Sequence, residues 1–173
     1  MNNMMLDLET LGTSSNAAIV SIGAVYFDSQ TNTLGDEFYM AIDLKTAVAF
    51  GGIIDADTVL WWLGQSEAAR AAVRNMPDAY GILHALEEFA KFCVPKVHIW
   101  GNGVDFDNVI LGNAYKRADM MMPFSYGKNR CYRTMKAMLP SVNVNREGTH
   151  HHALDDAKHQ ARYLMAAMKA GGL

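Results

Sequence analysis

Cysteine is scarce in this sequence, which holds only Cys93 and Cys131 among its 173 residues. Their spacing indicates neither a disulfide framework nor a zinc knuckle, so we expect two reduced cysteines packed as small apolar side chains. Long apolar runs are missing as well, and no stretch reaches the length that crosses a bilayer. The first ten residues have no basic start and contain two acids, which is not typical of a signal peptide. These features predict a cytoplasmic protein with no membrane partner.

An excess of basic residues is also absent. Fifteen Lys and Arg residues oppose 18 Asp and Glu residues, for a formal net charge of −3. A broad basic surface for long duplex DNA or RNA is therefore not expected. An enzyme that binds only the end of a nucleic-acid strand is still compatible with this net charge, because bound metal ions can supply positive charge. Hydrophobic residues make up 50% of the chain, and no repeat or linker divides it, so residues 1–173 are predicted to form one domain.

The most informative segment is the apolar run Met4–Thr10, which contains Asp7 and Glu9. Such a run is typical of a buried strand, in which side chains alternate between two faces. Asp7 and Glu9 should therefore share one face, with Leu6 and Leu8 on the other. Two buried carboxylates repel each other and lose hydration, so they need a cation, and a pair of divalent metal ions is the leading candidate. The alternative is that both acids end the strand and face water.

The rest of the pattern predicts an α/β fold. Apolar runs bounded by turn residues indicate strands at Met4–Leu8, Ala18–Phe27, Glu37–Ile42, Lys96–Trp100 and, briefly, around Tyr132. Helical spacing of apolar residues indicates helices at Asp57–Leu63, Glu67–Arg74, Ala79–Phe92, Asp105–Arg117, Arg133–Leu139 and Leu154–Lys169. Three early strands joined by short turns favour antiparallel pairing, and the later mixture favours a sheet flanked by helices.

Two acids stand where the predicted fourth strand leads into a helix. Asp105 is expected to be the N-cap of that helix, which would leave Asp107, beside Phe106, to face the sheet. The alternative for Asp107 is a simple favourable interaction with the helix dipole.

A histidine and an acid stand at the start of the last predicted helix. His151 and Asp156 are five residues apart, which on one continuous helix would separate them by about 140°. They can share a site only if His151 lies in the loop before the helix. The alternative for the cluster His150–His152 is a solvated loop.

Together these segments resemble the DnaQ-like exonucleases, and more narrowly the branch named for four acids and a histidine (DEDDh). The resemblance is carried by Asp7–Gly12, Asn102–Asp107 and His151–Ala157, in the family's order. The segments Trp61–Leu63 and Arg130–Thr134 are similar to a small bacterial and phage subgroup.

The resemblance implies a ribonuclease H-like fold, with a mixed five-stranded sheet that has one antiparallel strand and is flanked by helices. It also implies that Asp7, Glu9, Asp107 and Asp156 bind two divalent metal ions and that His151 is the general base. Hard oxygen ligands favour Mg²⁺ or Mn²⁺ over zinc. A general base must be neutral, and the reference pKa of histidine is about 6.5, so activity should rise through neutrality.

The activity implied is that of a 3′–5′ exonuclease domain, which releases nucleoside 5′-monophosphates from single-stranded DNA or RNA 3′ ends. Terminal bases stack on apolar and aromatic groups, and the candidates for substrate binding are Thr10, Leu11, Trp61 and Phe106. Leu11 is the best candidate for a wedge between bases. Trp61 and Phe106 are weaker choices, because an aromatic residue at helical spacing is more often part of the core.

Two other functions are compatible with the sequence. The first is a non-catalytic nucleic-acid-binding or partner-binding module on the same fold, which the intact acids and His151 count against. The second is a different metal phosphoesterase, which would usually show more histidine ligands. The sequence does not choose DNA or RNA, because contacts to the 2′-OH leave no readable motif. It does not fix the oligomeric state either, although a homodimer would match the many dimeric relatives.

Overall fold

The computed structural model describes residues 1–74 and 78–173. Five strands form one sheet, and they span Asn3–Thr10 (β1), Ile19–Asp28 (β2), Thr33–Ala41 (β3), His98–Gly101 (β4) and Asn129–Cys131 (β5). The described helices span Leu44–Ala49 (α1), Ala56–Leu63 (α2), Glu67–Val73 (α3), Ile82–Phe92 (α4), Asp107–Arg117 (α5), Tyr132–Met138 (α6) and Ala153–Ala170 (α7), with a 3-10 turn at Tyr126–Lys128. Within these two ranges, none of the helices combines the length and the apolar character needed to span a membrane.

The strand order in the sheet is β3-β2-β1-β4-β5. Strand β1 pairs antiparallel with β2 and parallel with β4, while β2 pairs antiparallel with β3 and β4 pairs parallel with β5. In the described sheet, β2 is therefore the strand that opposes the other four. This arrangement confirms the predicted α/β fold, with a mixed five-stranded sheet that has one antiparallel strand.

Several details differ from the sequence-based prediction. Tyr132 begins α6 and does not lie on the fifth strand, which ends at Cys131. Helix α4 begins at Ile82 and not at Ala79, with Gly81 as its N-cap. Helix α1 was not predicted, because six residues are too few to establish a helical period.

The central strand β1 separates two apolar clusters. Met4, Leu6 and Leu8 pack on one face of the sheet, where α4 and α5 lie. Met5 packs on the other face with Trp100 and with the apolar side of α7. Because side chains alternate along a strand, Asp7 and Glu9 continue the face of Met5, and both are directed toward α7.

Helix α7 approaches the sheet closely at one glycine. Gly23 on β2 lies opposite Asp7 in the strand register, and a Cβ atom at this position would overlap the backbone of Ala153 and Leu154. Because glycine has no side chain, the first turn of α7 can rest on the sheet beside Asp7. This contact carries Asp156, in the same helical turn, to the carboxyl end of β1.

Candidate metal centre and active site

The two acids predicted on the first strand face α7, with Glu9 buried and Asp7 half-buried. Glu9 is only 7% exposed, and Asp7 Oδ1 accepts a hydrogen bond of 2.7 Å from Nε2 of Gln160 on α7. The alternative of two solvated acids at a strand end therefore does not describe this pair. The role of Gln160 was not predicted, because a single glutamine one helical turn after Asp156 has no recognisable sequence pattern.

Asp107 is held between two neighbouring strands. The ladder between β1 and β4 ends at Met5 and Trp100, so the amide of Leu8 further along β1 is free to bind another group. Asp107 Oδ1 accepts a hydrogen bond of 3.1 Å from that amide, and its Oδ2 accepts one of 3.0 Å from the amide of Asn102. These two bonds fix the carboxylate at the carboxyl ends of β1 and β4.

The prediction that Asp105 is the N-cap of α5 is wrong. The cap position belongs to Phe106, which makes no side-chain capping bond, and the helix begins at Asp107. The reason is that the carboxylate of Asp107 binds the preceding loop through Asn102, which starts the helix later. Asp105 is exposed in the turn before it.

His151 lies in the loop before α7, as its spacing from Asp156 requires. Its backbone has a φ of 63°, and its amide donates a hydrogen bond of 3.1 Å to Asp156 Oδ2. Asp156 is buried in the first turn of α7. The His151 ring packs edge-on against Trp61, with 4.9 Å between ring centroids. The loop and the helix together bring the imidazole and the carboxylate to one place.

Burial sets the electrostatics of the acids. It is the largest cause that raises the pKa of Asp7 well above its usual value, followed by the charges of Asp107 and Glu9. Burial and the Asp107 charge raise the pKa of Glu9 to about 8. Burial also raises the pKa of Asp107 to about 7, against the hydrogen bonds from the amides of Leu8 and Asn102. Without a cation, these carboxylates therefore tend to keep protons near neutral pH.

The residues present fit divalent metal ions. One ligand atom each from Glu9, His151 and Asp156 lies within 4.8 Å of the others. Glu9 Oε1 is buried without a hydrogen-bond partner among the described residues, and coordination would satisfy it. Asp7 and Asp107 lie outside this compact trio but line the same cavity, which has a volume of about 490 Å³. The predominance of carboxylate oxygens is typical of Mg²⁺ and Mn²⁺ sites.

A guanidinium group that was not predicted faces these acids. Arg146 forms an ion pair with Asp156, and its charge lowers the pKa values of Asp7 and Glu9 against the larger effect of burial. Arg146 thus supplies positive charge where the acids need it. A lone arginine in an irregular segment has no spacing pattern that would reveal this role.

A second cavity, of about 530 Å³, adjoins the acids and has an aromatic wall. Trp61, Phe106 and Thr10 line it, and Trp61 is 47% exposed. The neighbouring Trp62 is buried, and its indole donates a hydrogen bond of 2.9 Å to the carbonyl of Thr10, which fixes α2 against the end of β1. Leu11 is half-buried and is not among the residues that line this cavity, so its role as a wedge stays a prediction.

Several solved structures share the fold. Escherichia coli exonuclease I in complex with a dT13 oligonucleotide superposes with a TM-score of 0.67 at 18% identity, over 97% of this chain and 41% of exonuclease I. This chain thus spans about two fifths of the length of that enzyme. The nuclease domain of 3′hExo, a DEDDh family member bound to rAMP, superposes with a TM-score of 0.68 at 13% identity, over 98% of this chain and 92% of that domain. Exonuclease X, in complex with 5′ overhanging duplex DNA, superposes with a TM-score of 0.64 at 16% identity, over 99% of this chain and 93% of exonuclease X.

The mixed five-stranded sheet flanked by helices is the fold that these exonucleases share, and it defines the structural class of this chain. Within that class, the chain belongs to the family described as the 3′-5′ exoribonuclease Rv2179c-like domain, which matches residues 2–168. The family assignment confirms the resemblance predicted from the sequence. No curated protein sequence matches this chain.

Proposed function

We propose that this protein is a metal-dependent 3′–5′ exonuclease that removes nucleoside 5′-monophosphates from the 3′ ends of single-stranded RNA. The observation that carries the proposal is the convergence of Asp7, Glu9, Asp107, Asp156 and His151 beside an aromatic-walled cavity. The preference for RNA over DNA rests on the exoribonuclease description of the family.

Two divalent metal ions, Mg²⁺ or Mn²⁺, would be held by Asp7, Glu9, Asp107 and Asp156. When bound, such ions lower the pKa of the attacking water and stabilise the attacking and leaving oxygens of an in-line displacement. Four carboxylates around two divalent cations give near-neutrality, which removes the cost of burying the acids. The orphaned Oε1 of Glu9 supports this assignment.

His151 is the proposed general base, which takes the proton of the attacking water at a ring nitrogen. Burial, followed by the charges of His150 and Arg146, lowers the pKa of His151 from its usual value. The imidazole is therefore neutral at pH 7, as a base must be. The edge-on packing against Trp61 restricts the ring orientation. The sequence predicts that activity rises with pH as His151 loses its proton. The midpoint of this rise should lie below about 6.5, which is the reference pKa of histidine.

The 3′-terminal nucleoside would occupy the aromatic-walled cavity. The half-exposed face of Trp61 is suited to stacking with a base. Phe106 lines both this cavity and the acid-lined one, which supports a role for its ring beside the linkage to be cleaved. Thr10 lines this cavity and is proposed to contact the terminal sugar, while Leu11, which lies outside it, is proposed as a wedge between bases.

Digestion of matched RNA and DNA oligomers tests the proposal. Oligomers labelled at the 5′ end should shorten one nucleotide at a time with Mg²⁺ or Mn²⁺, and those labelled at the 3′ end should lose their label at once. RNA should be digested faster than DNA of the same sequence. Binding of the oligomers without cleavage in either ion would instead favour a non-catalytic nucleic-acid-binding module.

A further inference from the structure

The acid-lined cavity has one wall of opposite charge. Arg133 and Lys136, both on α6, line it together with Asp7 and Asp107. Both side chains are exposed. Over residues 1–74 and 78–173, no carboxylate oxygen lies within 4.0 Å of either cation. The charge of Arg133 lowers the pKa of Asp107 from a distance, but neither cation forms a direct ion pair with the acids of the site.

Other contacts hold both cations in position. Arg133 Nη2 donates a hydrogen bond of 2.7 Å to the carbonyl of Asn102, the residue whose amide binds Asp107. Lys136 Nζ lies 4.9 Å from the ring centroid of Tyr163 and 5.9 Å from that of Tyr132. These contacts leave several N–H donors on each cation free. Fixed cations with unused donors are suited to binding a phosphate group.

The two cavities are neighbours. They share Leu8, Glu9 and Phe106 as lining residues, so the aromatic-walled cavity adjoins the acid-lined one at Glu9, in the proposed metal centre. With the terminal nucleoside in the first cavity and the scissile phosphate at the acids, the strand continues into the second cavity. The wall that it then meets is α6, with its two cations.

We infer that Arg133 and Lys136 form a subsite for the substrate phosphate that lies one nucleotide upstream of the scissile phosphate. This inference rests on the proposed function, because it takes the scissile linkage to lie at the acids. It makes the charge of the upstream linkage a determinant of substrate affinity. The ligand class is a phosphodiester, or a 5′-terminal phosphate when the substrate is a dinucleotide.

The test removes the substrate charge and the protein charge separately. Two RNA trinucleotides are compared, both with a native 3′ linkage, one with a phosphodiester and one with an uncharged methylphosphonate at the upstream linkage. For the wild type, loss of this charge should lower kcat/KM by about tenfold, mainly through a higher KM. In the Arg133→Gln/Lys136→Gln double variant, the ratio of the two kcat/KM values should approach one. Any effect of the variant on the metal centre acts on both substrates and cancels in this ratio.

Lys116→Gln is the matched control, because Lys116 is an exposed cation on α5 that lies outside both cavities, and it should keep the wild-type ratio. The slope of log KM against log salt should fall by about one for each cation removed. An unchanged ratio in the double variant would overturn the subsite.

Equilibrium binding of the same trinucleotides, measured by fluorescence anisotropy with Ca²⁺ in place of Mg²⁺, separates the two proposals. If the wild type cleaves neither substrate, the proposed nuclease function fails. The subsite is then decided by the ratio of the two dissociation constants, which the double variant must lose for the inference to stand.

Discussion

Metal binding at neutral pH should release protons from the carboxylates of the site. Burial gives Glu9 a pKa of about 8 and Asp107 a pKa of about 7 in the metal-free protein. At pH 7, Glu9 then keeps about 0.9 of a proton and Asp107 about 0.5, so these two acids should lose about 1.4 protons when ions bind. Asp7, whose pKa is also raised, adds to this number.

Isothermal titration calorimetry of the metal-free protein with Mn²⁺ measures this release. The titration is repeated at pH 7 in buffers that differ in ionisation enthalpy, and the slope of the observed enthalpy against the buffer enthalpy is the number of protons exchanged. The contribution of Glu9 and Asp107 should shrink toward zero at pH 9, where these two carboxylates are largely ionised before the metal binds. Asp107→Asn should lower the release at pH 7 by about 0.5 protons or more, because the Asp107 proton is gone and the pKa of Glu9 falls with the loss of that charge. A release below about 0.3 protons at pH 7 would refute the assignment of these acids to the metal centre.

Three further outcomes follow from the site. Because the folded pKa of Glu9 is raised from 4.5 to about 8, the metal-free folded state holds the extra proton, and its free energy of unfolding should fall as the pH rises through this window; urea titrations that showed the opposite slope would contradict the burial of Glu9. His151→Ala should lower kcat about 100-fold or more and change Mn²⁺ affinity little, whereas an equal loss of affinity would make His151 a ligand. Arg146→Gln removes the cation that pairs with Asp156, so it should lower the melting temperature of the metal-free protein and tighten Mn²⁺ binding about threefold or more; weaker Mn²⁺ binding would contradict the role of Arg146 as a counter-ion.

Much of the site could be predicted, because its acids lie on regular elements. Strand alternation alone places Asp7 and Glu9 on one face, and five-residue spacing alone requires His151 to precede α7. Asp107 was predictable from its position after a strand, although Asp105 was wrongly assigned as the cap. Local periodicity is sufficient for such residues, since each side chain direction follows from its own element.

The remainder of the site depends on contacts between distant segments. Gln160 reaches Asp7 only because α7 rests on Gly23, and this close approach is a property of the assembled sheet. Arg146 and Arg133 come from an irregular segment and a short helix, so their proximity to the acids has no sequence signature. Proximity in sequence is not sufficient either. Leu11 lies close to Asp7 and Glu9 along the chain, but it does not line the aromatic-walled cavity.

The measurement that tests the central claim most directly is the first product released from 3′-end-labelled RNA by the purified protein with Mn²⁺. The wild type and Asp105→Asn, a matched change at an exposed acid outside the site, should release the labelled nucleoside 5′-monophosphate. Asp7→Asn should release none above background. A labelled oligonucleotide or nucleoside 3′-monophosphate as first product, or a wild-type rate for Asp7→Asn, would contradict a metal-dependent 3′–5′ exonuclease centred on these acids.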